Sequence, residues 1–132
     1  LHVECEKNLP LFKLDSILIE NVVENILRNA VTYTPQGTTI QISASLKKKD
    51  CAIVITDDGP GFPPNEIHHV FEKFYRLRNT ATGGTGLGLS IARGFTEAHG
   101  GKITLENRPT GGAKFTITIP AEATSLNLFP ND

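Results

Sequence analysis

An α+β domain is predicted, a two-layer sandwich with a mixed, mostly antiparallel sheet of about five strands and both helices on one face. Two observations predict it: a pair of stretches has helical apolar spacing, and strand-patterned segments around them follow one another through short turns. The order along the chain is β, β, α, β, β, loop, α, β, β. A length of 132 residues, 39% of them hydrophobic and 20% charged, suits one globular domain whose core needs no staples.

Residues 1–14 read as extended, because His2, Glu4 and Glu6 alternate with Val3 and Cys5 before Pro10 interrupts. Asp15 and Ser16 can cap a helix, and Ile19, Val22, Val23, Ile26, Leu27 and Ala30 follow at helical spacing until Pro35 and Gly37 end it. "TTIQISAS" (38–45) alternates Ile40, Ile42 and Ala44 as a half-exposed strand, and the apolar run "CAIVIT" (51–56) reads as a more buried one. Lys47, Lys48, Lys49 and Asp50 supply the turn between them. "DDGPGFPPNE" (57–66) is turn chemistry, "IHHVFEKFYRL" can hold a short helix, and "RNTATGGT" lacks an apolar anchor and is expected to be mobile. At 28 residues, the stretch 58–85 is too long for an ordinary connection and points to a functional loop. A second helix is expected over 86–98, ended by Gly100 and Gly101, and then the strands "KITLE" and "AKFTITI". The expected domain spans residues 1–120, with a frayed tail over 121–132.

The net charge of −1 gives no basic footprint for nucleic acid and no polybasic membrane patch. Cys5 and Cys51 have no metal-ligand spacing and read as free buried thiols in a reducing compartment. No apolar run reaches the ~20 residues of a membrane span, no signal peptide opens the chain, and Leu1 in place of Met suggests a fragment of something longer.

Three features carry chemistry. "GGTGLGLSIA" (83–92) packs four glycines into six positions at the start of a helix, where free N–H groups and the helix dipole favour an anion such as phosphate. Its spacing is neither of the familiar phosphate loops: the dinucleotide pattern would need glycine at Leu89, and Gly101-Lys102 is followed by Ile103. Asp57 stands at the mouth of an apolar strand before Gly59 and Gly61, where a carboxylate must accept hydrogen bonds. It can take them from an amino group such as that of adenine, with a flat ring lying against bare glycine backbone, or from its own turn. Asn21, Asn25 and Asn29 recur every four residues as a stripe beside the apolar helix face. Such a stripe is a solvated surface or a source of neutral hard oxygen for Mg²⁺.

Together, "NILRNAVTYTP", "DDGPGF", "FEKFYR" and "GTGLGLSIA", in this order, resemble the N, G1, F and G2 boxes of sensor histidine kinases. These belong to a wider ATP-binding group with DNA gyrase B subunits and the large heat-shock chaperones. The ending "NRPTGGAKFTITIP" is similar to that of the potassium-responsive KdpD kinases. The resemblance implies a Bergerat-type ATP-binding fold, ATP and Mg²⁺ as cofactors, and a catalytic role for Asn25, Asn29, Lys73 and Arg76. It implies that Asn29 holds the Mg²⁺, Asn25 faces the phosphates, Tyr33 packs on adenine, and Asp57 accepts its amino group beside Gly59 and Gly61. Phe71 and Phe74 would anchor a mobile lid from which Lys73 and Arg76 reach phosphate. Gly84, Gly86 and Gly88 would offer N–H groups to the phosphates, with Thr85 in the same cofactor-binding run, while Leu87 and Leu89 pin the helix.

ATP-hydrolysing relatives carry a water-activating glutamate where Asn25 stands, and an amide is no general base. The resemblance therefore implies phosphoryl transfer to a histidine on a separate dimerisation domain, and onward to a response-regulator receiver domain. None of His2, His68, His69 or His99 lies in the sequence expected around such an acceptor, so the chain alone should bind ATP without labelling itself. His99 reads as a helix-terminal residue favoured by the dipole. The position three after Asn29 is Thr32 where the family often has a basic residue, and Ala113 stands where many relatives have Ser or Thr. The family implies a cytoplasmic domain of a membrane-anchored protein, with no nucleic acid and no direct membrane contact. Two other readings stand beside this one. One is a related ATPase clamp or anti-sigma serine kinase, which Asn25 disfavours; the other is a non-catalytic nucleotide-sensing module.

Overall fold

The computed structural model describes residues 2–5, 16–47, 50–75 and 87–120. Its elements run β1 (His2–Cys5), α1 (Ser16–Tyr33), β2 (Thr39–Lys47), β3 (Asp50–Asp57), a 3₁₀ turn (Ile67–His69), α2 (Gly88–Ala98), β4 (Lys102–Asn107) and β5 (Ala113–Pro120). The five strands form one sheet in the order β1-β2-β3-β5-β4. β1 pairs with β2 in parallel and the other pairings are antiparallel, so the sheet is mixed as its sequence predicts. The rest of the first extended stretch, the glycine run up to Gly86 and the tail lie outside the described residues.

Strand alternation decides which face is covered. In β3 the buried residues are Cys51, Ile53, Ile55 and Asp57, and in β5 they are Ala113, Phe115, Ile117 and Ile119. Register brings them opposite one another as Cys51–Ile119, Ile53–Ile117 and Ile55–Phe115. The intervening residues are half-buried on the second face. One face therefore meets the helices in a single core with Val22, Ile26 and Ala30 of α1 and Leu89 and Ala92 of α2. Fully burying an aliphatic side chain of this size contributes about 1.5–3 kcal/mol.

Thr34 and Pro35 fix the end of α1. Thr34 donates to the Ala30 carbonyl through its backbone N–H at 2.9 Å and also through Oγ1, and Pro35 cannot continue the helix. α2 turns back into β4 at Gly100, φ +76, and Gly101, where an added Cβ would lie 2.4 Å from the Thr118 carbonyl oxygen. His99 does stand at that helix end, its Nδ1 2.9 Å from the Phe95 carbonyl oxygen.

One expectation is corrected. Lys47 and Asp50 are paired strand residues rather than turn residues, which leaves a two-residue connection, the usual hairpin length. The short helix expected after the glycine turn is present as a 3₁₀ turn at Ile67–His69. Cys51 is free and buried, and burial pushes its thiol up to about 11; the Cys5 side chain lies outside those described.

Candidate functional site

The C-terminal half of α1 passes over the ends of β3 and β5, and a pocket opens where they meet. It is lined by Asn29, Ala30 and Thr34 of α1 and the segment after it, by Asp57, Gly61 and Phe62, and by Phe115, with about 310 Å³ of empty space including its mouth. The chain thus brings Asn29 and Asp57 together from opposite layers.

Asp57 is buried, so its carboxylate needs donors. Oδ1 accepts the Gly59 N–H at 2.9 Å and the Ala113 N–H at 3.2 Å. Both sequence readings of this residue are thereby compatible: Asp57 closes its own turn and still faces the pocket. Asp58 is exposed and accepts the Thr39 N–H at 2.8 Å, which ties the start of β2 to the same corner. A Cβ on Gly59 would make tight contacts, 3.2 Å from Asp57 Oδ1 and 3.3 Å from Thr34 Cγ2.

The asparagine stripe divides. Asn25 donates through Nδ2 to the Asn21 carbonyl at 2.7 Å and to Asn21 Oδ1 at 3.3 Å. Its own Oδ1 faces the start of α2, where a Cβ on Gly88 would come within 3.4 Å. The first helix and the end of the glycine run therefore meet at Asn25, one turn from Asn29. The Asn29 carboxamide has no hydrogen-bond partner among the described residues, and it borders the pocket. Glu24 is exposed and paired with Arg28, as its position round the helix implies.

Leu89 is buried and pins α2, whereas Leu87 is half-buried at the helix N-cap. Phe71 is buried with its ring edge-on to Phe115, 6.4 Å between centroids, and Phe62 packs on the same ring at 6.1 Å. Arg93 stacks over Phe71 at 5.8 Å. Phe74 does not join Phe71 as an anchor: it is 69% exposed, at φ +64, because the backbone leaves helical geometry before it and turns its side chain outward. Lys73 is exposed on the same segment. Tyr33 ends α1, its side chain outside those described, and Arg76, Gly84, Thr85 and Gly86 lie outside the described residues.

Three residues at this corner have no role in the sequence analysis: Asn107, Arg108 and Gly112. Arg108 Nη1 donates to the Asp57 carbonyl oxygen at 2.8 Å, and Asn107 bonds the Phe62 backbone. Gly112, φ +92, lies so close that a Cβ would fall 1.9 Å from the Asp57 carbonyl oxygen. Their sequence signal is the doubled glycine at 111–112 just ahead of a strand, one more than a tight turn requires.

A buried carboxylate, bare glycine backbone and an asparagine stripe that meets a glycine-started helix thus come together in one α+β domain. Residues 14–123 match the family described as Histidine kinase-, DNA gyrase B-, and HSP90-like ATPase, and the chain belongs to that family. Within it, the likeness is to sensor histidine kinases. The chain is 38% identical to Sensor protein KdpD of Escherichia coli K12 over 134 residues, covering 100% of this chain and 15% of that protein. Among solved structures it superposes on the mycobacterial sensor histidine kinase MprB at TM-score 0.75 and 31% identity, covering 90% of this chain and 81% of that one. A full-length ShkA in complex with AMPPNP matches at TM-score 0.74 and 25% identity, over 90% of this chain and 25% of that one.

Proposed function

We propose that this chain is the ATP-binding catalytic domain of a two-component sensor histidine kinase, one that positions ATP·Mg²⁺ for γ-phosphoryl transfer to a histidine on a separate dimerisation domain. The supporting observation is the convergence at one corner of Asp57, Asn29 and the Asn25–Gly88 contact. Asp57 would accept the adenine amino group, with Gly59 and Gly61 forming the surface beside the ring. Asn29 would hold the Mg²⁺: its carboxamide is unclaimed by described neighbours, and Mg²⁺ takes few protein ligands beside phosphate and water. When bound, the ion would neutralise phosphate charge. Tyr33 is proposed to pack on the base, Leu87, Gly88 and Leu89 to start the phosphate-facing helix after Gly84, Thr85 and Gly86, and Lys73 and Arg76 to reach phosphate from a lid rooted at Phe71.

Asn25 supports transfer over hydrolysis. Its carboxamide is bonded to Asn21 and has no basic lone pair with which to activate water, and the carboxylate next to it in sequence, Glu24, is exposed and paired with Arg28. What the chain supplies is positioning and charge neutralisation, the main demands of phosphoryl transfer. The acceptor histidine would attack the γ-phosphorus and ADP would leave. The parent protein is proposed to be membrane-anchored with this domain on the cytoplasmic side, its phosphoryl group passing on to a response regulator. Among the described residues no helix is long and apolar enough to cross a membrane.

The test mixes this chain with the matching helical hairpin and radiolabelled ATP. An acid-labile, base-stable phosphoprotein is expected on the hairpin and not on this chain, and Asn29→Ala should abolish it. Undiminished label with Asn29→Ala would overturn the metal assignment.

A further inference from the structure

The end of β4 reaches across to the turn after β3 with two consecutive residues. Asn107 Oδ1 accepts the Phe62 N–H at 2.8 Å while its Nδ2 donates to the Phe62 carbonyl at 2.8 Å. One side chain thus makes with Phe62 the pair of bonds a neighbouring strand would make. Arg108 holds the other end of the turn at the Asp57 carbonyl, 2.8 Å away, and its own N–H closes the β4–β5 loop onto Gly112. Between these two fixed points lie Gly59 and Gly61. Gly61 sits at φ +77, and a Cβ there would fall 2.7 Å from Asn107 Oδ1, so side chain and turn are fitted to each other. Asn107 is nonetheless exposed, so truncating it opens no cavity in the core. A surface asparagine held only by solvent has no reason to spend both halves of its amide on one peptide group.

We infer that Asn107 is a positioning residue for nucleotide recognition: it clamps the Asp57–Phe62 turn in its binding shape before ligand arrives. The inference rests on the nucleotide reading above. Apparent affinity falls in proportion to the fraction of molecules in the competent shape. Loss of two ordinary hydrogen bonds can lower the ratio of clamped to open turn about 100-fold; a turn held about 10:1 in the clamped shape then falls to about 1:10, so Asn107→Ala should raise Kd for ATP·Mg²⁺ about tenfold. Because the effect is on the base end, ADP should weaken by the same factor.

The experiment compares the 132-residue chain with Asn107→Ala, Asn107→Asp and Ile119→Val, the last a buried change at the far end of β5. Amide hydrogen exchange is read without ligand, and Kd for ATP·Mg²⁺ and ADP by calorimetry. In Asn107→Ala the Phe62 amide should lose protection while amides of β3 and β5 keep theirs. Asn107→Asp retains the acceptor and should keep the Phe62 amide protected with a Kd between the other two. Ile119→Val should lower the melting temperature and leave Kd unchanged. Wild-type affinity in Asn107→Ala, or an equal loss in Ile119→Val, overturns the inference. Absence of binding by the wild type would instead refute the nucleotide reading, and the Phe62 amide would still decide whether the clamp exists.

Discussion

Replacing Asp57 by asparagine exchanges a carboxylate for an amide of the same shape, which separates what this residue does for the fold from what it does for a ligand. In the structure Oδ1 accepts from Gly59 at 2.9 Å and from Ala113 at 3.2 Å, and an asparagine oxygen can still take both. What is lost is the charge assistance, roughly half the strength of each bond. Two such losses cost about 1–2 kcal/mol, or about 3–8 °C of melting temperature in a domain of this size. Recognition should suffer more. The new Nδ2 group would present a donor where the proposed adenine amino group also donates. Loss of a bond to a charged acceptor costs about 1.5–3 kcal/mol, or about 10- to 150-fold in Kd. Asp57→Ala should destabilise further, by about 1–3 kcal/mol, since it strands the N–H of Ala113, a residue only 1% exposed. Thermal denaturation and calorimetric titration with ATP·Mg²⁺ on the three proteins read both effects. Wild-type affinity in Asp57→Asn would refute the base assignment. Equal melting of Asp57→Asn and Asp57→Ala would refute the account of the turn.

Gly112→Ala should destabilise by at least about 3 kcal/mol, through a Cβ 1.9 Å from the Asp57 carbonyl oxygen at a positive φ, whereas Gly94→Ala, with nothing within 4 Å in the middle of α2, should stabilise by about 1 kcal/mol. Melting temperatures that move in the same direction would contradict this. Phe71→Ala should cost about 3–4 kcal/mol and Phe74→Ala under about 0.5 kcal/mol, as measured by urea denaturation; equal costs would mean that both rings are packed. Burial raises the Cys51 thiol from 9.0 to about 11, so the unfolded chain gives up its proton first, and stability present below pH 9 should decline between pH 9 and 11. Cys51→Ala should flatten that decline relative to wild type, and an unchanged slope would show that the thiol plays no part in it. With nucleotide at 100 times Kd, wild type should gain ~2.7 kcal/mol, and Asn29→Ala should lose the Mg²⁺-dependent part of that gain.

What was legible in the chain was whatever depends on neighbours in sequence. Val22, Ile26 and Ala30 mark the buried face of α1 by spacing alone, and Pro35 marks its end. Odd positions of β5 alternate inward as written. Asp57 and the stripe with Asn29 were also readable, because a carboxylate ending an apolar strand and repeated helical asparagine are each costly without a partner. Phe71 and Phe74 were not separable: three residues apart, they would share a face of a helix, but the backbone leaves helical geometry between them. Asn107, Arg108 and Gly112 were invisible for a different reason. They act on Phe62 and Asp57, 45 and 51 positions away for the two side chains, and "NRPTGG" by itself spells only a turn.

The bond from Ala113 to Asp57 spans 56 positions of chain and forms only when β5 has slotted between β3 and β4. Closure over such sequence distances is entropically slow. The pocket therefore needs β5 in place, and a polypeptide halted before residue 113 has the asparagines but no receptacle. On the proposed reading, nucleotide capture would then be a certificate of a completed sheet.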